Sequence, residues 1–412
     1  MSPEAKPPAM QASGETILVL NSGSSSLKAG LFSAAAGVNF AGERALLTAS
    51  AAGLGSSGGG TLVVEDGDGR ELAREDHSLA SAEEALAAVA RALARHGDSP
   101  AAISHRIVHG GPHLHAPVQL STDVLATLRR SIHFAPLHLP ESLRLIETAA
   151  ELYPTTPQFG CFDTAFHATM PPASTRLPIP SAYARQGLRR YGFHGLSYES
   201  LIAQLRFSGA PLPERIVCAH LGGGSSLCAV YRGQSVDTTM GFTPAGGVPM
   251  ATRTGDLDPG VLIFLARAHR LSVDQLESLV NTGCGLAAIC GTGDMQQLEA
   301  MRSGANAEAA KNAELAFSIY STAVAKSIAA LTVSLGGLDL LVFAGGIGEH
   351  SAPLRAAVLS QLAMFGIRFD ADANQRNAER LDAPGGKVPI RIVRAEEDLV
   401  IAGHTRKLLT GA

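Results

Sequence analysis

The sequence is short of cysteine, of charge and of the common nucleotide-binding signatures, and each shortage excludes something. Five cysteines (Cys161, Cys218, Cys228, Cys284, Cys290) are odd in number and form no CxxC pair. That disfavours a disulfide framework or a zinc cluster and suits a reducing, cytoplasmic setting. Only 17% of the residues are charged, and the net charge is −4. This balance argues against nucleic acid or an anionic membrane as partner. No apolar run approaches the ~18 residues needed to span a bilayer. Met1–Gly14 carries one lysine and no apolar core, so residues 1–15 read as a disordered tail rather than a secretory signal. There is no GxxxxGK[ST], so this is not a P-loop site. No GxGxxG follows a strand, which disfavours a dinucleotide enzyme.

What is present is apolar and glycine-rich. The 412 residues are 46% hydrophobic, ample for large cores, and the length suits ~2–3 domains. Ile17–Phe32, ILVLNSGSSSLKAGLF, reads as strand, Gly/Ser turn, strand. Such a turn exposes backbone N–H groups and hydroxyls to a phosphate, although a plain surface hairpin reads equally well from this stretch alone. Ile216–Tyr231, IVCAHLGGGSSLCAVY, repeats it: with a shift of 200 positions, Gly23, Ser25, Ser26, Leu27 and Ala29 fall on Gly223, Ser225, Ser226, Leu227 and Ala229. Two such units predict a duplicated fold, with a polyphosphate held in the cleft between the halves.

Along the chain, helices and strands interleave, which gives an α/β class. Thr48–Gly60 reads as a mobile low-complexity loop. Ser81–His96 is a capped helix. Ile103–Val108 is a strand ending at His109-Gly110-Gly111-Pro112. Helices follow at Ser121–Ile132 and Pro140–Leu152, then a strand, Gln158–Phe162, that delivers Asp163. The prolines of Pro171–Pro180 mark a non-helical crossing, and the change of domain falls near Asp163–Pro180. After the second hairpin comes a long loop, Asp237–Pro259. Helices are predicted at Pro259–Arg270, Ser272–Asn281 and Ala305–Ser334. Strand Leu338–Phe343 runs into a third glycine loop, Ala344–Glu349, followed by a helix, Ser351–Phe365. A last strand, Val388–Val393, precedes a terminal helix from Asp398.

Several side chains suit anion chemistry. Arg106 ends an apolar strand, and Arg253 lies in a rigid glycine- and proline-rich loop; guanidinium groups so placed bind carboxylate or phosphoryl oxygens, though solvated ion pairs are the usual case for any arginine. His105, His109, His113 and His115 are crowded together, but the Gly-Gly-Pro break disfavours a zinc site. His194 sits between glycines in Tyr-Gly-Phe-His-Gly as a loop donor or a structural histidine. Asp163 and Glu396-Glu397-Asp398 each follow a strand, where α/β folds place ligand and metal contacts, or where acids simply favour a helix start.

These stretches together resemble the acetokinase family of short-chain carboxylate kinases, within the actin, sugar-kinase and Hsp70-like superfamily. They are Asn21–Lys28, His105–Gly111, Phe134–His138, Phe162–His167, Tyr191–Gly195, His220–Ser226, Met240–Pro244, Thr252–Pro259, Gly345–Glu349 and Glu396–Leu399. The resemblance implies two duplicated ribonuclease H-like α/β domains with an active-site cleft between them. Residues 16–165, completed by a terminal helix at 398–412, would form the N-terminal domain and residues 166–397 the nucleotide-binding domain. It implies a homodimer and Mg²⁺-dependent use of ATP, with Mn²⁺ as an alternative metal. By motif, Arg106 and Arg253 would bind the carboxylate and the transferring phosphoryl group, and His194 would donate to its oxygens. Asp163, Glu397 and Asn21 would hold the metal, directly or through water, and Asp163 would also position the reactants. Val108, Leu137, Phe193 and Pro244 would enclose the acetate methyl. Lys28, the run His220, Leu221, Gly222, Gly223 and Gly224, then Asp294, Met295 and Gln296, and finally Gly346, Ile347, Gly348, Glu349 and His350 would line the nucleotide site.

The implied reaction is reversible transfer from ATP to acetate, giving acetyl phosphate and ADP. A carboxylate is already ionised at neutral pH, so the residue set needs no general base. Propionate or butyrate kinases of the same family share this reading, and a non-metabolic ATPase on the same fold is a more distant one. Three positions depart from the family: Gly223 and His350 stand where Asn is usual, and Gln296 where Arg is usual. All three are on the nucleotide side.

Overall fold

The structure, a computed structural model, describes residues 16–411 except 24–25, 36–41, 54–59, 78, 80 and 96–98. The predicted tail, the serines Ser24 and Ser25 of the first turn, and His96 lie outside the described residues. The chain divides into two compact units, the first running to Ala165 and completed from Glu396 onward, the second spanning Phe166–Ala395.

The first unit is built on strands β1 (Thr16–Gly23), β2 (Ser26–Ser33), β3 (Leu47–Ala52), β4 (Gly60–Asp66), β5 (Glu71–His77), β6 (Ala102–Ile107), β7 (Val118–Gln119) and β8 (Gln158–Phe162). Their order in the sheet is β5-β4-β3-β2-β1-β6-β8-β7. β1 is central, antiparallel to β2 and parallel to β6. Its run Ile17–Leu20 is fully buried, as expected of a strand covered on both faces. One face carries helices Ala82–Ala94 and Leu139–Leu152, whose Leu86, Val89, Leu145 and Ala149 pack with Leu18, Leu20 and Ile103. Ser81 caps the first of these by accepting from the Glu84 amide at 3.3 Å.

The second unit has β9 (Arg215–Leu221), β10 (Ser225–Tyr231), β11 (Gln234–Thr238), β12 (Leu340–Ala344) and β13 (Ile390–Ile392), in the order β11-β10-β9-β12-β13. Here too the central strand is antiparallel to its hairpin mate and parallel to the next, with β13 parallel beyond it. The first unit repeats this pattern in β3-β2-β1-β6-β8. The fold is therefore a duplicated α/β unit of ribonuclease H-like topology, and the two glycine hairpins occupy equivalent places in it.

Some expectations need correction. Thr48–Gly60 is not a loop throughout: β3 covers its first part and β4 starts at Gly60. Alternation explains it, since Leu47, Ala49 and Ala51 face the core while Thr48 and Ser50 do not. Ala and Ser hid the strand because neither is a strong strand former. Pro171–Pro180 contains one short helix, Pro172–Thr175, because proline fits the first helical turn. Gly345–His350 is itself helical rather than an open loop. The helix Ala307–Leu335 is long and apolar enough to cross a membrane by composition alone. In this chain its Phe317, Tyr320, Val324 and Ile328 pack into the core of the second unit.

Charge is also buried in the first unit. Arg406, on the terminal helix Glu397–Thr410, donates to the Ser33 carbonyl at 2.8 Å and pairs with Glu43. Arg406→Ala removes one partner of a buried ion pair, so the expected loss is about 3–5 kcal/mol, read as a lowered urea midpoint. An unchanged midpoint would show that the pair is solvated.

Among the described residues three histidines are buried: His105 and His167 are 1% exposed and His109 is 0%. Burial pushes each down to about 4, opposed at His105 by its bond to Gln158 and at His167 by its bond to the Phe193 carbonyl. The unfolded chain protonates them near 6.5, so between pH 6.5 and 4 it binds more protons than the folded chain. Stability is then full above 6.5 and falls as pH drops, by about 2 kcal/mol per histidine at pH 5. His105→Gln should flatten the loss of melting temperature between pH 7 and pH 5; an unchanged slope would mean that His105 titrates normally.

Candidate functional site

In the first unit, one guanidinium gathers four segments. Arg106, on β6, donates from Nε and Nη2 to the two carboxylate oxygens of Asp163 at 2.9 and 2.7 Å. Asp163 lies just past β8 and is 1% exposed. Nη1 donates to Asn21 Oδ1 at 3.0 Å and lies 3.7 Å from Glu397. Asn21, on β1, turns its amide nitrogen to Glu397 and Asp398, both at 3.3 Å. Burial alone would lower the Arg106 pKa, but Asp163, Glu397 and Asp398 drive it up, so it stays charged. Burial, then the neighbouring Glu397, pushes Asp398 up to about 6, opposed by Asn21, Lys28 and Arg106.

Three carboxylates against Arg106 and Lys28 leave surplus negative charge in a poorly solvated place. Carboxylate and amide oxygens are the donors that Mg²⁺ or Mn²⁺ takes, and Mg²⁺ uses few protein ligands. Among the described residues, no three His, Cys, Asp or Glu side chains form a preassembled metal cage. The donor set therefore fits an ion held by few protein oxygens and completed by water and phosphate. Lys28 stands opposite Asn21 across β1 and β2 and belongs to this cluster. Val108 lies one residue beyond β6 and is half-buried, whereas Leu137 is 48% exposed.

In the second unit, His194 caps the helix Gly195–Phe207 in the left-handed conformation, with φ of 58°. That is costly for a residue with a side chain. The backbone is held by buried His167, which donates from Nε2 to the Phe193 carbonyl at 3.0 Å while Nδ1 bonds Ser235 Oγ at 2.8 Å. The His194 ring packs 4.6 Å from that of His220. Arg253 donates to the Pro244 carbonyl at 3.3 Å. A methyl group built on Gly224 would lie 3.3 Å from His194 Nε2 and 3.4 Å from Arg253 Nη1. Glycine thus leaves open the point on which these two donors converge. Phe193 is 1% exposed and Pro244 is also buried.

A cavity of about 370 Å³ opens beside the same hairpin. Gly222 and Gly223 line it from the turn, Met295 and Gln296 from the start of helix Met295–Arg302, and Gly346 and His350 from the short helix after β12. Asp294 and Ile347 also reach it. All three departures from the family pattern, at 223, 296 and 350, therefore face one space. A side chain at Gly223 would meet nothing within 4 Å. Asp294 uses its carboxylate to cap the helix, accepting from the Gln297 amide at 2.8 Å. Leu221 sends its side chain into the core. Glu349 accepts from the Gly345 amide at 2.9 Å. Gly345 has φ of 76°, and a methyl there would strike the Leu221 carbonyl oxygen at 2.6 Å.

Sequence reasoning missed several supports. Arg355 is fully buried and donates to the Gly348 carbonyl at 2.9 Å and to Asn374 Oδ1 at 2.8 Å. Burial pulls its pKa down to about 10, with Glu299 opposing. Ser351 donates to Glu299, and both line the cavity. An arginine inside an apolar helical run was the available signal at 355. Asp398, next to Glu397, was legible as an acid but not as a neighbour of Asn21.

Comparison with known proteins agrees over nearly the whole chain. The acetokinase family profile matches residues 16–403. An acetate kinase of Deinococcus deserti is 40% identical over 95% of this chain and 97% of its own. One from Nitrobacter hamburgensis is 37% identical over 96% of each. The crystal structure of Porphyromonas gingivalis acetate kinase superposes with a TM-score of 0.83 at 31% identity, covering 96% of this chain and all 100% of that one. That of a Francisella tularensis propionate kinase reaches 0.86, also at 31% identity, over 95% and 98%. With profile, relatives and solved structures in agreement, the chain belongs to the acetokinase family.

Proposed function

We propose that the chain is an acetate kinase that moves the terminal phosphoryl group of ATP directly onto acetate. A carboxylate oxygen of acetate bonds to the terminal phosphorus, the bond to the bridging oxygen of ADP breaks in line, and acetyl phosphate and ADP leave. No proton changes hands, so the work is to hold two anions together and to stabilise spreading charge. The observation that carries the reading is the convergence of His194 Nε2 and Arg253 Nη1 on the open point above Gly224. Arg106 and Arg253 bind the carboxylate and the transferring group as charge-assisted donors. His194 donates to the equatorial oxygens. Val108, Leu137, Phe193 and Pro244 bound the methyl group.

The cavity beside the second hairpin receives the nucleotide, with backbone from Gly222–Gly224 and Gly346–Gly348. Asn21, Glu397 and Asp163 would hold Mg²⁺, directly or through water. When bound, the ion screens the phosphate charge and orients its oxygens. Asp163 keeps Arg106 in place. The five free thiols suit the cytoplasm. A homodimer is supported by helix Pro259–Ala268, which buries no residue and leaves Ile263 and Phe264 51% and 60% exposed. Propionate as the preferred acid is the second reading, favoured by the likeness to the Francisella propionate kinase.

Steady-state ADP release over acetate, propionate and butyrate tests the assignment. Acetate should give the highest kcat/KM, and release independent of any carboxylic acid would refute a kinase. Arg253→Ala should lower kcat by ~10²–10³-fold at saturating acetate, with an unchanged melting temperature. Near-normal turnover of that variant would remove Arg253 from the site.

Donor choice should be loose, with GTP within about tenfold of ATP in kcat/KM, a gap of ~1.4 kcal/mol. Discrimination between bases needs fixed polar partners. Gly223 offers no side chain, Gln296 and His350 are exposed, and Asp294 and Glu349 are committed to backbone amides. Competition kinetics showing an ATP preference above roughly a hundredfold, ~2.7 kcal/mol, would defeat this and leave the kinase assignment standing.

A further inference from the structure

Tyr198 stands in the first turn of helix Gly195–Phe207 and is fully buried. Its ring packs among Leu201, Ile202, Cys218, Cys228 and Val230. The hydroxyl is a polar atom in an apolar cluster, and its hydrogen-bond partner is Ser226 Oγ, 2.5 Å away. Ser226, on β10, is also fully buried, and the same Oγ lies 2.9 Å from His194 Nδ1. The three side chains form one line, and the direction of its protons can be worked out.

If Ser226 donated to Tyr198, the phenol proton would point into the apolar cluster with no acceptor. A buried polar group left unpaired costs about 1–3 kcal/mol. The Cys228 thiol is turned away from it, to Ser235 and the Ala229 carbonyl. Burial holds the Tyr198 pKa well above its ordinary value, so the proton stays available to donate. Tyr198 therefore donates to Ser226. The single proton of Ser226 then goes to the remaining acceptor, His194 Nδ1. A neutral imidazole that accepts at Nδ1 carries its proton on Nε2.

We propose that Tyr198 and Ser226 are positioning residues that lock His194 as the neutral Nε2–H tautomer. Nε2 is the ring nitrogen that approaches the open point above Gly224 alongside Arg253. The catalytic meaning of the lock rests on the role given to His194 above, but the lock itself does not. The relay also fixes the ring orientation, because Nδ1 is tied to β10 while the backbone is tied through His167.

Nitrogen-15 NMR of histidine-labelled full-length protein tests this, with the His194 ring signals identified by their loss in His194→Gln. The expected result is an unprotonated Nδ1 and a protonated Nε2 at neutral pH. Ser226→Ala should move His194 toward a mixture of tautomers, and Tyr198→Phe should do so less. Ser226→Ala should also lower kcat about tenfold, the equivalent of ~1.4 kcal/mol, with KM for acetate within twofold. A proton on Nδ1 in the unaltered protein overturns the proposal, and this measurement needs no variant to fold. An unchanged tautomer in both folded variants overturns it as well. A shifted tautomer with undiminished kcat upholds the lock and refutes the role of His194 in phosphoryl transfer.

Discussion

The charge on Arg106 is the constraint that organises the first unit. A largely buried guanidinium needs carboxylate partners, and here they come from positions as far apart in sequence as Asp163 and Glu397. The terminal helix that brings Glu397 to this charge packs on the first unit through buried Leu399, Val400, Ile401 and Ala402. Its first turn supplies Glu397 and Asp398, and its far end is fixed by Arg406. Buried ion pairs are poor sources of net stability. The unit carries this one in a form that overshoots, with more carboxylate than Arg106 and Lys28 offset. Glu397 and Asp398 also lie in the first turn of the terminal helix, where acids favour the helix start, and the charge left over is of the kind a divalent cation complements.

The second unit works mainly through backbone. The segment after β12 approaches the hairpin closely because Gly345 has no side chain to strike Leu221, and Gly224 leaves room for His194 and Arg253. A phosphate meets N–H groups of this kind without having to displace a side chain. The costs fall on ordered supports: His167 beneath Phe193 and Arg355 beneath Gly348 each donate to a backbone carbonyl of a ligand-facing segment. Neither needs to touch a ligand to matter.

This division decides what could be read from sequence. The repeated hairpins were legible because strand, glycine turn and strand leave a pattern 200 positions apart, and from that pattern the duplicated topology followed. Arg106, Asp163 and Arg253 were legible because polar residues at strand ends and in rigid loops stand out from an apolar background. β3 was not legible, since Thr-Ala-Ser-Ala-Ala has weak strand propensity and gains its order from pairing with β2 and β4. The Tyr198–Ser226 contact spans 28 positions and joins a helix to a strand. No local pattern marks it, and a tyrosine among Leu and Ile reads as ordinary core.

The relay bears on why a histidine serves here rather than another cation. Under the proposed chemistry, two guanidinium groups and a metal ion would already supply positive charge to the reacting anions. A further fixed positive charge would bind the ground-state polyanion about as strongly as the transition state, which lowers KM without raising kcat. A neutral N–H donor gains strength mainly as charge builds on the oxygens it faces. It does so only if its proton is on the correct nitrogen beforehand, because the alternative tautomer would present a lone pair to an anion. A tautomer fixed by two buried hydroxyls removes that failure at no cost in charge. It also accounts for Ser226, where alanine would fill the strand position equally well.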